Sequence, residues 1–495
     1  MPTACRRAAI LVPLAALLGA ALAGAAPTDP GPVPAVDVRP HACKVPGSRE
    51  TLRCATHAVW EDRVAGKGRR IGLNIVILPA LGPARAPDPV FLLGGGPGEG
   101  IADEAADQVP FVAALRRRRD VVLVDQRGTG RSNPLQCEIY GPGDGDPRRL
   151  AGEMFPDAVV RGCRERLEKL ADLTLYTTPI AMDDLDEVRA WLGYEKVDLY
   201  GGSYGTRAAQ VYMKRHGERV RAAVLVGVAP IDEALPSHHA YAGQRAVDLL
   251  FAECAADRAC HAAYPRIGEE LQAVMARVDR GAKVAIGDLA GPAAGRRTEI
   301  QPSRGVVAEG LRFVLYESNG GELPREIDRA YRGDLAPLVT MALQQRRRLA
   351  RGLAQGMFLT VTCAEDIPFL DPREVARLTA GTLLGDYRVR SQQRACALWP
   401  RAPIPAGLRA PLRSDVPTLL VSGERDPVTP PEFGERVVKG LPRGLHVVIP
   451  HGGHGSGGGA CVDEMIATFI ERGTAAGLDT SCLKKLPAPS FRTER

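Results

Sequence analysis

Six short apolar runs constrain this chain more than any other feature of it. They are Pro89-Val90-Phe91-Leu92-Leu93, Val121-Val122-Leu123-Val124, Val197-Asp198-Leu199-Tyr200, Ala222-Ala223-Val224-Leu225-Val226, Pro417-Thr418-Leu419-Leu420-Val421 and His446-Val447-Val448-Ile449. Each is too short for a helix, and nearly every residue is apolar, where a strand with one wet face would alternate. Runs of this kind fit strands covered on both faces of a parallel sheet. Segments of helical period, Ile180 to Leu192 and Thr206 to His216, stand between them. Strand and helix in alternation predict an open α/β sheet flanked by helices. A strand pair precedes it, His57 to Arg63 and Arg70 to Leu78, turning at Gly66-Lys67-Gly68.

Between residues 229 and 413 the strand pattern stops. Helical segments take over: Arg245 to Ala255, Ile267 to Val278, and Pro337 to Leu349, where proline suits the first turn. The expected organisation is a leader over 1–26, a first core part over 27–228, a helical cap over 229–413, and the rest of the core over 414–495. The leader reading rests on Arg6 and Arg7, the apolar Ala8 to Ala23, and small residues at Ala21, Ala23 and Ala25. A retained membrane anchor is the alternative; Pro13 and the small residues favour a cleaved export signal to the periplasm or beyond, leaving no membrane attachment.

Cysteine usage agrees with export. Of eleven cysteines, Cys5 would leave with the leader, and the ten others group as neighbours along the chain. Five local bridges are the simple expectation: Cys43–Cys54, Cys137–Cys163, Cys254–Cys260, Cys363–Cys396 and Cys461–Cys482. No CxxC occurs and the nine histidines do not fall at ligand spacings, so no metal or other cofactor is expected. A formal charge of +6 on 495 residues is nearly neutral and argues against nucleic acid as a partner. Two basic runs receive plain readings: Arg116 to Arg119 as the cationic end of a helix, and Arg346-Arg347-Arg348 as a solvated helix face.

The chemistry centres on Gly201-Gly202-Ser203-Tyr204-Gly205, directly after the run ending at Tyr200 and before the helix near Thr206. A strand-to-helix turn this tight exposes a serine hydroxyl and aims the next N–H at a reacting oxygen. A serine needs a base, and the base needs an orienting acid. Asp426 follows the run ending at Val421 and His454 follows the run ending at Ile449, so both fall at the carboxyl ends of strands. Glu424 and His451 are the alternatives. Gly94-Gly95-Gly96-Pro97-Gly98 supplies backbone approach to an oxyanion, with the N–H groups of Gly96 and Tyr204 as expected donors. Neither this run nor Gly128-Thr129-Gly130 gives G-x-G-x-x-G, which removes a dinucleotide loop.

Taken together, Gly94 to Gly98, Asp125-Gln126-Arg127-Gly128-Thr129-Gly130-Arg131-Ser132 and Gly201 to Gly205 resemble the prolyl iminopeptidase and tripeptidyl aminopeptidase group of α/β-hydrolases. Gly94 stands where that group often has histidine, which points away from strict proline iminopeptidases. The resemblance implies an α/β-hydrolase fold with a helical cap inserted before the strand that carries Asp426. It implies a serine peptidase acting on peptides with a free N-terminus; a monomer is expected apart from the resemblance. Such an enzyme needs an anion for the substrate ammonium. Thr362-Cys363-Ala364-Glu365-Asp366 resembles a cap segment of these enzymes, which nominates Glu365 and then Asp366. Asp125 to Ser132 is expected to be scaffold near the site. An esterase on the same scaffold is the rival, since fold does not fix substrate.

Overall fold

A computed structural model describes residues 31–141, 146–287, 289, 297–316, 320–455 and 458–494. The expected leader lies outside the described residues. The strands in chain order are β1 (Val38–Cys43), β2 (Leu52–Trp60), β3 (Arg70–Leu78), β4 (Val90–Leu93), β5 (Val121–Val124), β6 (Val197–Gly202), β7 (Val220–Val226), β8 (Val284–Gly287), β9 (Arg297–Ile300), β10 (Thr418–Gly423) and β11 (Gly444–Ile449). Nine of them form one sheet in the order β1-β2-β3-β5-β4-β6-β7-β10-β11. From β5 to β11 every neighbouring pair is parallel, while β1, β2 and β3 join antiparallel at one edge. All six apolar runs are strands of its parallel part.

Their continuous apolarity has a direct cause. Successive side chains on a strand point to opposite faces, and both faces are covered. Phe91, Val122, Leu199 and Leu225 belong to one core with Ala208, Ala209 and Tyr212 of the helix Tyr204–His216. Their neighbours Leu92, Leu123, Tyr200 and Val224 belong to a second core with Val462, Met465, Ile466 and Phe469 of the helix Gly459–Arg472. Each such side chain, withdrawn from water, contributes about 1.5–3 kcal/mol before chain entropy is counted.

The stretch between β7 and β10 is mainly helical. It includes His239–Ala256, Ile267–Asp279, Arg304–Val314, Ala336–Gly352 and Gln355–Glu365. It also contains the antiparallel hairpin of β8 and β9, which the sequence reading passed over. Four residues per strand is little for a periodicity to register. Strand β1 also went unseen, since Val38–Cys43 carries neither the apolar run nor the alternation that mark the other strands. All five expected disulfides are present. No helix among the described residues is long and apolar enough to cross a membrane.

The first basic run does close a short helical turn, Leu115–Arg117, before β5, and its arginines also make ion pairs; the second differs from its reading. Arg116 is buried with Nη2 2.7 Å from Glu50 Oε2, and Arg117 pairs with Glu464. Arg118 and Arg119 both pair with Glu471, and Arg119 Nε also lies 3.0 Å from Asp88. The run therefore clamps a short turn to the helix Gly459–Arg472 through ion pairs, beyond any helix-end effect. Arg346 is not solvated: it is buried and donates to the Tyr140 hydroxyl at 2.7 Å.

Candidate active site

The turn at Ser203 shows why its two outer glycines are needed. Ser203 has φ 54° and ψ −121°, a conformation that non-glycine residues rarely adopt. A Cβ on Gly205 would lie 2.1 Å from the Leu93 carbonyl oxygen, and one on Gly201 would lie 2.4 Å from that of Gly205. A Cβ on Gly202 would meet nothing within 4 Å. The strained turn is held by neighbours: Ser203 N donates to Val226 O at 2.9 Å, and Thr206 Oγ1 donates to Ser203 O at 2.6 Å. Thr206 Oγ1 in turn accepts from Ala229 N, which ties the turn to the end of β7. Tyr204 opens the following helix, so its N–H has no carbonyl within that helix to serve.

Asp426 and His454 arrive from the loops after β10 and β11. His454 Nδ1 lies 2.8 Å from Asp426 Oδ2. The Asp426 carboxylate is fully buried and well supplied with donors: Val428 N and Thr429 N to Oδ1, Thr429 Oγ1 to Oδ2, each at 2.8 Å. Thr429 Oγ1 also lies 3.2 Å from His454 Nδ1. His454 N donates to Tyr316 O at 2.7 Å, and the Tyr316 ring meets the imidazole edge-on at 4.9 Å. Ser203 and His454 line the same cavity. The alternatives Glu424 and His451 are used elsewhere. Glu424 accepts from His451 N, and His451 Nδ1 lies 2.7 Å from Glu253 Oε1.

That trio, Glu253, Glu424 and His451, is the one group among the described residues whose ligand atoms all lie within 4.8 Å of one another. Arg425 Nε, 3.1 Å from Glu253 Oε2, already supplies a cation there.

The glycine loop differs from expectation in one residue. Gly94 and Gly95 line the cavity, and a Cβ on Gly95 would touch the Ser203 Cβ at 3.4 Å. Gly96 is exposed, with φ +104°, and a Cβ there would meet Leu353 and Gly98. The loop therefore brings Gly95 to the Ser203 side chain, while Gly96 is set against Leu353 and Gly98. Gly95 N donates to the Glu99 carboxylate. Burial pushes the Glu99 carboxyl upward. The Asp125 to Ser132 segment supports this loop from below. Asp125, fully buried, accepts from Ala102 N at 2.7 Å, Arg131 N at 3.0 Å and Asn74 Nδ2 at 2.8 Å. Burial raises its carboxyl to about 6 against these bonds.

Glu365 and Asp366 do not reach the cavity. Glu365 Oε1 accepts from Thr178 N at 2.7 Å and Oε2 from Thr178 Oγ1 at 2.8 Å. Thr178 Oγ1 is in turn 2.7 Å from the Tyr204 hydroxyl. Asp366 Oδ1 accepts from Arg207 Nη1 at 2.8 Å, with both side chains buried. The expectation that these acids meet the substrate ammonium is thus corrected: both fasten the end of Gln355–Glu365 to the elements around Ser203. Sequence reasoning also missed Thr429, Tyr316 and Glu99. Thr429 carries a local signal, since a threonine three residues after an aspartate in a turn readily bonds back to it. Tyr316 carries none, being brought to His454 from about 138 residues away.

Residues 88–253 match the alpha/beta hydrolase fold family, and residues 381–482 match the TAP-like protein family. The chain is 27% identical over 491 residues to the serine protease Hip1 of Mycobacterium tuberculosis, covering 89% of this chain and 88% of that one. It is 24% identical over 423 residues to the tripeptidyl aminopeptidase of Streptomyces lividans, covering 78% and 75%. Carboxylesterase B of Mycobacterium tuberculosis is 27% identical over 228 residues, covering 42% and 43%. With its elbow serine and mostly parallel sheet, the chain has the α/β-hydrolase fold, carries a TAP-like C-terminal region, and is similar to proteins named as serine peptidases.

Proposed function

We propose that this chain is an exported serine aminopeptidase that releases N-terminal residues or short peptides through Ser203, His454 and Asp426. The observation that carries the reading is the imidazole of His454, fixed on buried Asp426 and lining one cavity with the strained Ser203. With Nδ1–H donated to Asp426, the imidazole keeps Nε2 free to accept the serine proton. Ser203 Oγ attacks the scissile carbonyl while His454 takes its proton, and Asp426 steadies the imidazolium. The tetrahedral oxygen turns to the Tyr204 N–H and to Gly95 N–H, the latter shared with Glu99. His454 then protonates the leaving amine, and water releases the acyl group by the reverse sequence. Five disulfides suit an oxidising compartment and support export.

Ser203→Ala is expected to abolish both turnover and labelling by a fluorophosphonate; labelling that persists would reject the nucleophile. Peptidyl anilides with free and acetylated N-termini, run beside short-chain nitrophenyl esters, test the substrate class. Indifference to acetylation would reject the aminopeptidase. Activity on esters alone would establish the second reading, a carboxylesterase, which the similarity to carboxylesterase B favours.

A further inference from the structure

The cavity at Ser203 is about 420 Å³, and its walls come from the sheet edge and the first helix after the glycine loop. Leu92, Ile101, Phe111, Tyr200 and Val226 supply apolar lining. Two carboxylates, Glu99 and Asp107, line it as well, and among the described residues no arginine, lysine or cap residue does. Elsewhere in this protein arginines pair with most of the buried acids, as Arg207 does with Asp366 and Arg312 with Glu309. Among the described residues no basic side chain pairs with Glu99, with Asp107 or with neighbouring Glu104.

We propose that this cavity is a subsite for a cationic group on the substrate residue whose carbonyl Ser203 attacks, with Glu99 as the anion that meets it and Asp107 as a second. This rests on Ser203 being the nucleophile of the hydrolase proposed above. A Cβ on Gly95 would lie 3.2 Å from Glu99 Oε2 and 3.4 Å from the Ser203 Cβ, so the carboxylate stands close to the nucleophile, beside apolar lining that suits the methylenes of a cationic group. Glu99 is fixed in place, because Gly95 N donates to one of its oxygens. Partly buried and without a countercharge, it is destabilised in the empty enzyme, and a bound cation offsets that. Its neighbour feels the same field: the Glu104 carboxyl is pushed up to about 7, by burial first and then by the charge on Glu99. Glu365 and Asp366, which the sequence nominated for a cation, are already satisfied inside the protein.

Two sources of the cation share this chemistry: a lysine or arginine side chain, or the α-ammonium of a single released residue. Lysine and norleucine differ only by the charged head, so they separate charge from shape. The test uses the full chain and diphenyl phosphonates that place phosphorus at the attacked position. They carry lysine or norleucine side chains, each with a free or an acetylated amine. With a side-chain cation, the acetylated lysyl reagent is expected to modify Ser203 about ten-fold faster than its norleucyl partner. Glu99→Gln, whose amide oxygen still accepts from Gly95 N, is expected to bring that ratio to about one, and Asp107→Asn to lower it less. With an α-ammonium, the ratio that collapses is free over acetylated norleucyl reagent. Equal ratios in the wild type and in Glu99→Gln would overturn the proposal. Asp107 is exposed at the rim, so Asp107→Asn keeps the test readable should Glu99→Gln fail to fold. Phosphonate modification needs no peptide turnover, so a chain inert toward anilides would reject the aminopeptidase and still give these ratios. A Ser203 that no reagent modifies would reject nucleophile and subsite together.

Discussion

Asp366→Ala separates a structural acid from a substrate-binding one. The wild-type residue and Arg207 are 2% and 3% exposed and joined by a 2.8 Å bond. Removing one partner of a buried pair leaves the other charge uncompensated, which costs about 3–5 kcal/mol. Arg207 keeps two carbonyl acceptors, Pro230 O at 3.2 Å and Glu233 O at 2.7 Å. Those bonds offset part of the loss, so the lower end, about 3 kcal/mol, is the expected value. That corresponds to a shift of about a hundred-fold or more in the folding equilibrium. Urea unfolding followed by tryptophan fluorescence measures it, with disulfides kept intact. Trp399 is a suitable reporter: it is buried, and its Nε1 donates to Thr360 on the helix that ends beside Asp366. The double variant Arg207→Met with Asp366→Leu is expected to regain most of the stability, since an apolar pair of similar volume needs no countercharge. The reasoning fails if Asp366→Ala is as stable as the wild type to within about 0.5 kcal/mol and instead raises KM for free-amine peptides.

Other perturbations follow from the same geometry. Glu365, with its carboxyl raised to about 7 by burial, binds a proton more tightly in the folded state than in the unfolded one. Its contribution to stability is therefore full below the ordinary carboxyl range and lost as pH rises through about 7. In Glu365→Gln, urea midpoints measured from pH 5 to pH 8 are expected to fall less steeply with pH than in the wild type. Thr429→Val removes the hydroxyl that donates to Asp426 and touches His454 Nδ1. Its kcat on an ester or anilide is expected to drop about ten- to hundred-fold, with thermal stability changed far less. Gly205→Ala is expected to yield no active protein, while Gly202→Ala retains fluorophosphonate labelling, because only the first Cβ meets a carbonyl oxygen. Equal labelling of the two variants would refute that account of the turn.

What the sequence disclosed was whatever it encodes locally. The parallel strands were legible because burial on both faces leaves four or five apolar residues in a row, as at Val121 to Val124. The serine turn was legible because two close approaches require two glycines at fixed offsets. The roles of Glu365, Glu99 and Arg346 were not. A carboxylate reads alike in sequence whether it faces substrate or a buried threonine. What decides the role is a partner such as Thr178, 187 positions away along the chain. The same limit explains Gly96 and Gly95: three consecutive glycines give no hint of which one the turn delivers to the serine.

Contacts around His454 bear on how the helical segment between β7 and β10 relates to catalysis. That segment supplies Tyr316, whose carbonyl accepts from His454 N and whose ring abuts the imidazole. It also supplies Glu253, which meets His451 on the same loop and Arg425 beside Asp426. Asp366 and Glu365 bind it to Arg207 and Thr178 on the far side of the serine turn. A lid that swung freely would break all of these contacts, including a buried ion pair, at each opening. The segment is better regarded as part of the frame that aligns base and nucleophile. Substrate access then falls to the cavity under the glycine loop, whose lining contains none of the segment's described residues. A disulfide introduced to fix the segment to the core away from that cavity should leave turnover intact, whereas a lid would be silenced by it.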